Sequence, residues 1–151
     1  MMKEWFDAVA IALEADGQLV LFILLVEDGT VNRMGTGAID SKERETYVGV
    51  SEDGLFEKFM DTVPDEIFKS AGTYRHPESL GLPCKLTIGF RSPRRTIGFE
   101  FQFGSQSEGP PQEISQLVKT AIDLTKPWYQ QNRQASELTA SKTVDTSTTK
   151  Q

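Results

Sequence analysis

The chain has 151 residues, 38% of them hydrophobic and 25% charged, with a formal net charge of −6. That length suits one domain with one core, and an acidic balance repels nucleic acid phosphates and anionic lipids unless a local basic patch overrides it, so a protein partner of basic character, or none, is favoured. The longest apolar run, Leu19–Val26, falls far short of the roughly 20 residues a bilayer-crossing helix needs, and no membrane association is expected.

The opening stretch mixes Lys3, Glu4 and Asp7 into what would be the hydrophobic region of a secretory leader, so no leader is expected. Residues 3–15 place Trp5, Val9 and Leu13 at i, i+4 and i+8 with Phe6 and Ala10 beside them. This spacing predicts an amphipathic helix, ended by Asp16-Gly17. From Gln18 to Glu27 the chain is almost wholly aliphatic and reads as a strand. Leu19, Leu21, Ile23 and Leu25 point one way and Val20, Phe22, Leu24 and Val26 the other, so both sides need cover. Helices of the same chain can cover one side. The other, carrying Val20, Phe22, Leu24 and Val26, is a candidate partner surface, the competing reading being a central strand covered on both sides within the monomer.

Asp28-Gly29 has the composition of a hairpin turn leading into a strand over Thr30–Gly37. After a charged connection, Thr46–Val50 reads as a third strand, completing a meander. Ser51–Gly54 opens a helix in which Ser51 or Asp53 could accept hydrogen bonds from the first amides, and Leu55, Phe56, Phe59, Met60 and Val63 form its buried side. Pro64 breaks that helix, with a second short turn running through Phe68. Ala71–Pro83 lacks periodicity and reads as a loop. Cys84, Leu86, Ile88 and Phe90, then Ile97, Phe99, Phe101 and Phe103, alternate with polar or small residues and predict two half-buried strands joined by a turn at Ser92–Arg95. Pro110-Pro111 suits the first turn of a helix whose apolar face is Ile114, Leu117, Val118, Ala121 and Ile122, with Pro127 expected to bend or end it. From about Ala135 the sequence is Ser, Thr and Lys with little apolar content, which predicts a single α+β domain over 1–134 and a disordered polar tail over 135–151.

Chemistry is sparse. His76 is the one histidine and Cys84 the one cysteine, so no internal disulfide can form and the cytoplasm is the expected location. The alternation around Cys84 favours a buried small hydrophobe over a nucleophile paired with His76. No metal and no cofactor is expected, since zinc favours Cys and His ligands. Arg91, Arg94 and Arg95 cluster at the second hairpin tip and could grip phosphate or carboxylate, against the plainer reading of a solvated turn or pairing with the acidic first half. Residues 1–70 hold 15 acids and 6 bases, whereas residues 71–134 hold 5 acids and 8 bases.

Helix, three strands, helix, two strands, helix gives the α+β class, with a five-stranded antiparallel sheet packed with helices. This order, the acidic balance and the size resemble those of dimeric secretion chaperones of the type III class, with no sequence motif of that family present. Two functions follow as expectations. One is a non-catalytic protein-binding or adaptor module, chaperone-like or immunity-type, acting as a dimer or with a protein partner. The other is a small-ligand or anion-binding protein, conceivably a hydrolase, whose pocket gathers His76, Arg91 and Ser105–Ser107.

Overall fold

A computed structural model describes the backbone of residues 6–149 and the side chains of residues 6–138. Asp16 and Gly17 both hold positive φ, 53° and 77°, as a two-residue type I′ hairpin turn requires. The turn joins strand β1 (Ala8–Ala15) to β2 (Gln18–Val26). The amphipathic helix expected over residues 3–15 is therefore a strand from Ala8 onward, and residues 3–5 lie outside the described residues. Ile11 explains the correction. On a helix it would face away from Val9 and Leu13, yet it is wholly buried with Val9 on one side of β1, which only a period of two allows.

β2 turns at Asp28-Gly29 into β3 (Thr30–Met34), and β4 (Thr46–Val50) follows. At that turn the Thr30 amide donates to the Asp28 carboxylate at 2.9 Å and the Gly29 amide donates to the Val26 carbonyl at 3.0 Å. Helix α1 (Leu55–Asp61) starts on Gly54, which takes a left-handed conformation and makes no side-chain cap; Ser51 instead accepts from the Asp53 amide within the preceding turn. A 3₁₀ helix (Asp65–Ser70) follows Pro64. The segment expected as a loop then contains a further strand, β5 (Gly72–Arg75), before β6 (Pro83–Arg91), β7 (Thr96–Gly104) and helix α2 (Gln112–Thr149).

The sheet order is β4-β3-β2-β1-β6-β7-β5. Every pairing is antiparallel except β5 with β7, which is parallel. The fold is thus α+β with a seven-stranded mixed sheet and a C-terminal helix, not the five-stranded antiparallel sheet or the helix-first order expected from the sequence.

The helices lie on one face of this sheet. Ile11, Ile23, Ile88 and Phe99 stand in one cross-strand row and share a core with Phe59, Leu117, Ala121 and Trp128. Burial of each isoleucine, leucine or phenylalanine among them contributes about 1.5–3 kcal/mol. Pro127 does not end α2, which runs through it. Because Pro127 has no amide to give the Asp123 carbonyl, the helix loses a rung there. The helical backbone continues through residues 135–149, where the composition suggests a tail, and Ala135–Leu138 are exposed.

Candidate functional site

The structure brings some of the sequence-predicted site residues together and separates others. Ser105 and Ser107, just beyond β7, fasten the loop ahead of β6. The Leu82 amide donates to the Ser105 hydroxyl at 2.9 Å, and the Leu80 amide donates to the Ser107 hydroxyl at 2.8 Å, which itself donates to the Glu78 carbonyl. His76 belongs to the same end of the sheet, its Nδ1 2.7 Å from the Glu78 carbonyl oxygen. Gly104 makes this fastening possible, since a Cβ there would stand 2.1 Å from the Leu80 carbonyl oxygen. All these groups are engaged in holding a loop.

Arg91, Arg94 and Arg95 are at the opposite end. β6 runs from Pro83 beside that loop to Arg91, about 26 Å away at ~3.3 Å per residue. Arg91 pairs with Asp7 at 3.0 Å, meeting the acidic first half of the chain. Ser92 organises the turn, accepting from the amides of Arg94 and Arg95. One cavity cannot hold His76 and Arg91 together. Cys84 is buried beside Ala15 and Val20, and burial pushes its thiol pKa up, the opposite of what a nucleophilic thiolate needs. Among the described residues no three His, Cys, Asp or Glu side chains gather as a metal site requires, and no helix is long and apolar enough to cross a membrane.

The expected partner surface is partly redistributed. A register shift between Leu13 and Glu14 places Val20 in the small core with Ala15 and Cys84. Phe22, Leu24 and Val26 alternate with the fully buried Leu21, Ile23 and Leu25, so they occupy the sheet face opposite the helices, half-buried. Cross-strand pairing sets one row of that face as Val48, Asn32, Leu24, Ala10, Gly89 and Gly98. The next row begins Thr46, Met34, Phe22, Ala12, Thr87. Large apolar side chains thus stand over β2, with Met34 on β3 and Val48 and Val50 on β4, the last two 65% and 67% exposed, while the polar Asn32 and Thr46 share the same rows. Alanine and glycine stand over β1, β6 and β7 in the first row, and Ala12 is followed by Thr87 and Glu100 in the second. The result is a ridge beside a trough, and a hollow of about 490 Å³ opens over Ala10, Ala12, Gly89 and Gly98.

A groove of about 640 Å³ lies on the helix side, at the β5 edge. Phe101 and Tyr74 stack at its floor, ring centroids 5.3 Å apart with the planes 12° apart, within the roughly 4.5–7 Å favoured by such pairs. Pro64 and Ile67 form one wall, Pro110 and Ile114 the other. Glu66, Glu108 and Glu113 stand exposed on its rim.

Arg33 is a key residue that sequence reasoning misses. It is 2% exposed, and burial pushes its pKa down. Its Nη1 donates to the Ile122 carbonyl at 3.0 Å and to the Thr125 hydroxyl at 2.8 Å, and its Nε to the Gly35 carbonyl at 3.2 Å. An arginine on a short strand next to the sheet edge reads as solvated, and nothing local signals otherwise. No protein-family model matches the chain, and no curated protein matches its sequence.

Proposed function

We propose that the chain is a non-catalytic protein-binding module, chaperone-like or immunity-type, that works in the cytoplasm as a homodimer assembled through the sheet face opposite the helices. The observation that carries this reading is the ridge of Phe22 and Leu24 beside the trough of Ala10, Gly89 and Gly98 on one face. A two-fold axis presents the same patch to itself, so the ridge of one copy enters the trough of the other. Charge is compatible with this. Glu14 with Lys85 at 3.1 Å and Asp7 with Arg91 at 3.0 Å are paired within the chain, and Glu100, which lines the trough beside Thr87, accepts a hydrogen bond from Gln102 at 2.8 Å.

Sedimentation equilibrium tests the reading, with the variant Gly98→Leu as its control. A Cβ at Gly98 meets no atom within 4 Å, and leucine suits a strand better than glycine, so the monomer keeps its fold while the trough is filled. The expected result is a dimer for the native chain and a monomer for the variant. A native chain that stays monomeric at about 100 μM, where even a modest dimer would form, overturns the reading.

A further inference from the structure

We infer that the groove beside β5 binds an extended peptide segment in which apolar side chains alternate with lysine or arginine. This rests on the protein-binding part of the function proposed above and is independent of the dimer, since groove and dimer face lie on opposite sides of the sheet.

Three features choose the occupant. First, the floor is apolar and unsealed: Tyr74 stacks on Phe101 yet remains 43% exposed. The volume of about 640 Å³ suits a few side chains. Second, the groove runs along an edge strand, since among the described residues β5 has β7 alone beside it in the strand order. An edge strand offers main-chain donors and acceptors to a segment lying alongside, while alternate side chains of that segment enter the groove. A small molecule would use the floor and leave the edge unused.

Third, the charges favour a cation. Glu66, Glu108 and Glu113 line the groove, and none of the three has an ion-pair or hydrogen-bond partner among the described residues. The β5 end adds one guanidinium, Arg75, whose hydrogen bond to a neutral amide leaves its charge in place, so the lining carries three carboxylates against one fixed cation. Arg75 Nε donates to Gln102 Oε1 at 3.2 Å, and His76 Nδ1 is turned to the Glu78 backbone. An acidic segment would meet three unpaired carboxylates, whereas a basic one would be steered in by them. The prolines on both walls bring no amide hydrogens and hold the backbone stiffly, so little ordering is required on binding.

The test uses the full chain and an acetylated, amidated peptide of sequence Leu-Lys-Leu-Pro-Leu-Lys-Leu, followed by backbone amide chemical shifts. The lysine peptide is expected to shift the amides of Tyr74, Phe101 and Ile114 and to saturate with Kd at or below about 1 mM. The same peptide with glutamate in place of lysine binds about tenfold more weakly or not at all. Glu66→Lys with Glu113→Lys weakens the lysine peptide about tenfold without lowering Tm, and Tyr74→Ala abolishes binding. The inference is overturned if the lysine peptide causes no saturable shift at these residues, if the glutamate peptide binds equally well, or if n-hexylamine saturates the groove at the same concentration, which would make it a small-amine site. Shifts confined to Phe22 and Leu24 would overturn it too. Gly98→Leu is expected to bind as the native chain does, so loss of the dimer and loss of the peptide site are read separately.

Discussion

The guanidinium carbon of Arg33 stands 4.8 Å from the centroid of the Tyr129 ring, and together these two residues tie the meander to α2. The Tyr129 hydroxyl accepts from the Gly35 amide at 3.2 Å and donates to the Glu45 carbonyl at 2.8 Å, spanning the connection between β3 and β4. Arg33 reaches the other way, to Ile122 and Thr125, one turn before the helix loses its Pro127 amide. The buried charge is met by carbonyl oxygens, a hydroxyl and a π face.

Arg33→Ala is therefore expected to cost about 3 kcal/mol, the range for truncating a buried residue that leaves hydrogen-bonding groups without partners. Arg33→Lys is expected to recover less than half of that, because an ammonium cannot reproduce the planar fork that serves Gly35, Ile122 and Thr125 at once. Urea unfolding monitored by the fluorescence of the two tryptophans, Trp5 and Trp128, measures both. A lysine variant as stable as the native protein would show that charge alone suffices at this position.

The proposed dimer gives a graded expectation at the sheet edge. Val48 and Val50 are about two-thirds exposed on β4, and unpaired apolar edges invite association. Val48→Lys and Val50→Lys each remove apolar area from the ridge without touching the helix-side core. Each should weaken the dimer about tenfold, roughly 1.4 kcal/mol, and leave monomer Tm nearly unchanged. Sedimentation shows the first effect and thermal unfolding the second.

How much of this was legible depended on how local each cause is. β6 and β7 could be read because Leu86, Ile88, Phe99 and Phe101 alternate with polar or small residues over nine-residue strands. β1 could not, because Ala8, Ala10 and Ala12 suit a helix as well as a strand and Asp16-Gly17 serves either as a helix stop or as a hairpin turn. β5 was invisible. Its four residues have no alternation, and it exists through a parallel pairing with β7, more than twenty residues later. The candidate pocket failed for a similar reason: alternation puts Cys84 and Arg91 on one strand without saying which loops meet at either end. That Phe22 and Leu24 share one side of β2 follows from a strand's period of two, but the trough beside them needs the register of β1 against β6.

Asp28 offers a pH-dependent expectation. Hydrogen bonds from Thr30 hold its carboxyl below the usual aspartate range. A group whose pKa is depressed on folding stabilises the fold above its unfolded pKa, and that contribution is lost as pH falls through the folded value. Asp28→Ala should therefore lower Tm at pH 7, and the gap to the native protein should close on acidification below the ordinary aspartate pKa. A gap that stays constant down to acid pH would assign the effect to turn geometry instead of ionisation.

The domain boundary can be tested by truncation. Trp128 and Tyr129 are buried, 9% and 3% exposed, and Arg133 pairs with Glu43 at 2.6 Å. Beyond them, Ala135–Leu138 are exposed, and Glu137 contributes an exposed i, i+4 contact to Arg133 at 3.5 Å, a kind of pair worth about 0.3–0.5 kcal/mol. A chain ending at Gln134 is expected to keep its Tm within about 2 °C of the full chain, the shift such a small loss produces. A chain ending at Lys126 removes the Tyr129 bridge to Gly35 and Glu45 and uncovers the core around Phe59, so it should not fold. Thermal unfolding of both chains separates the alternatives: a large loss from the first truncation would mean that residues 135–151 pack on the domain and that the single unit extends past Gln134.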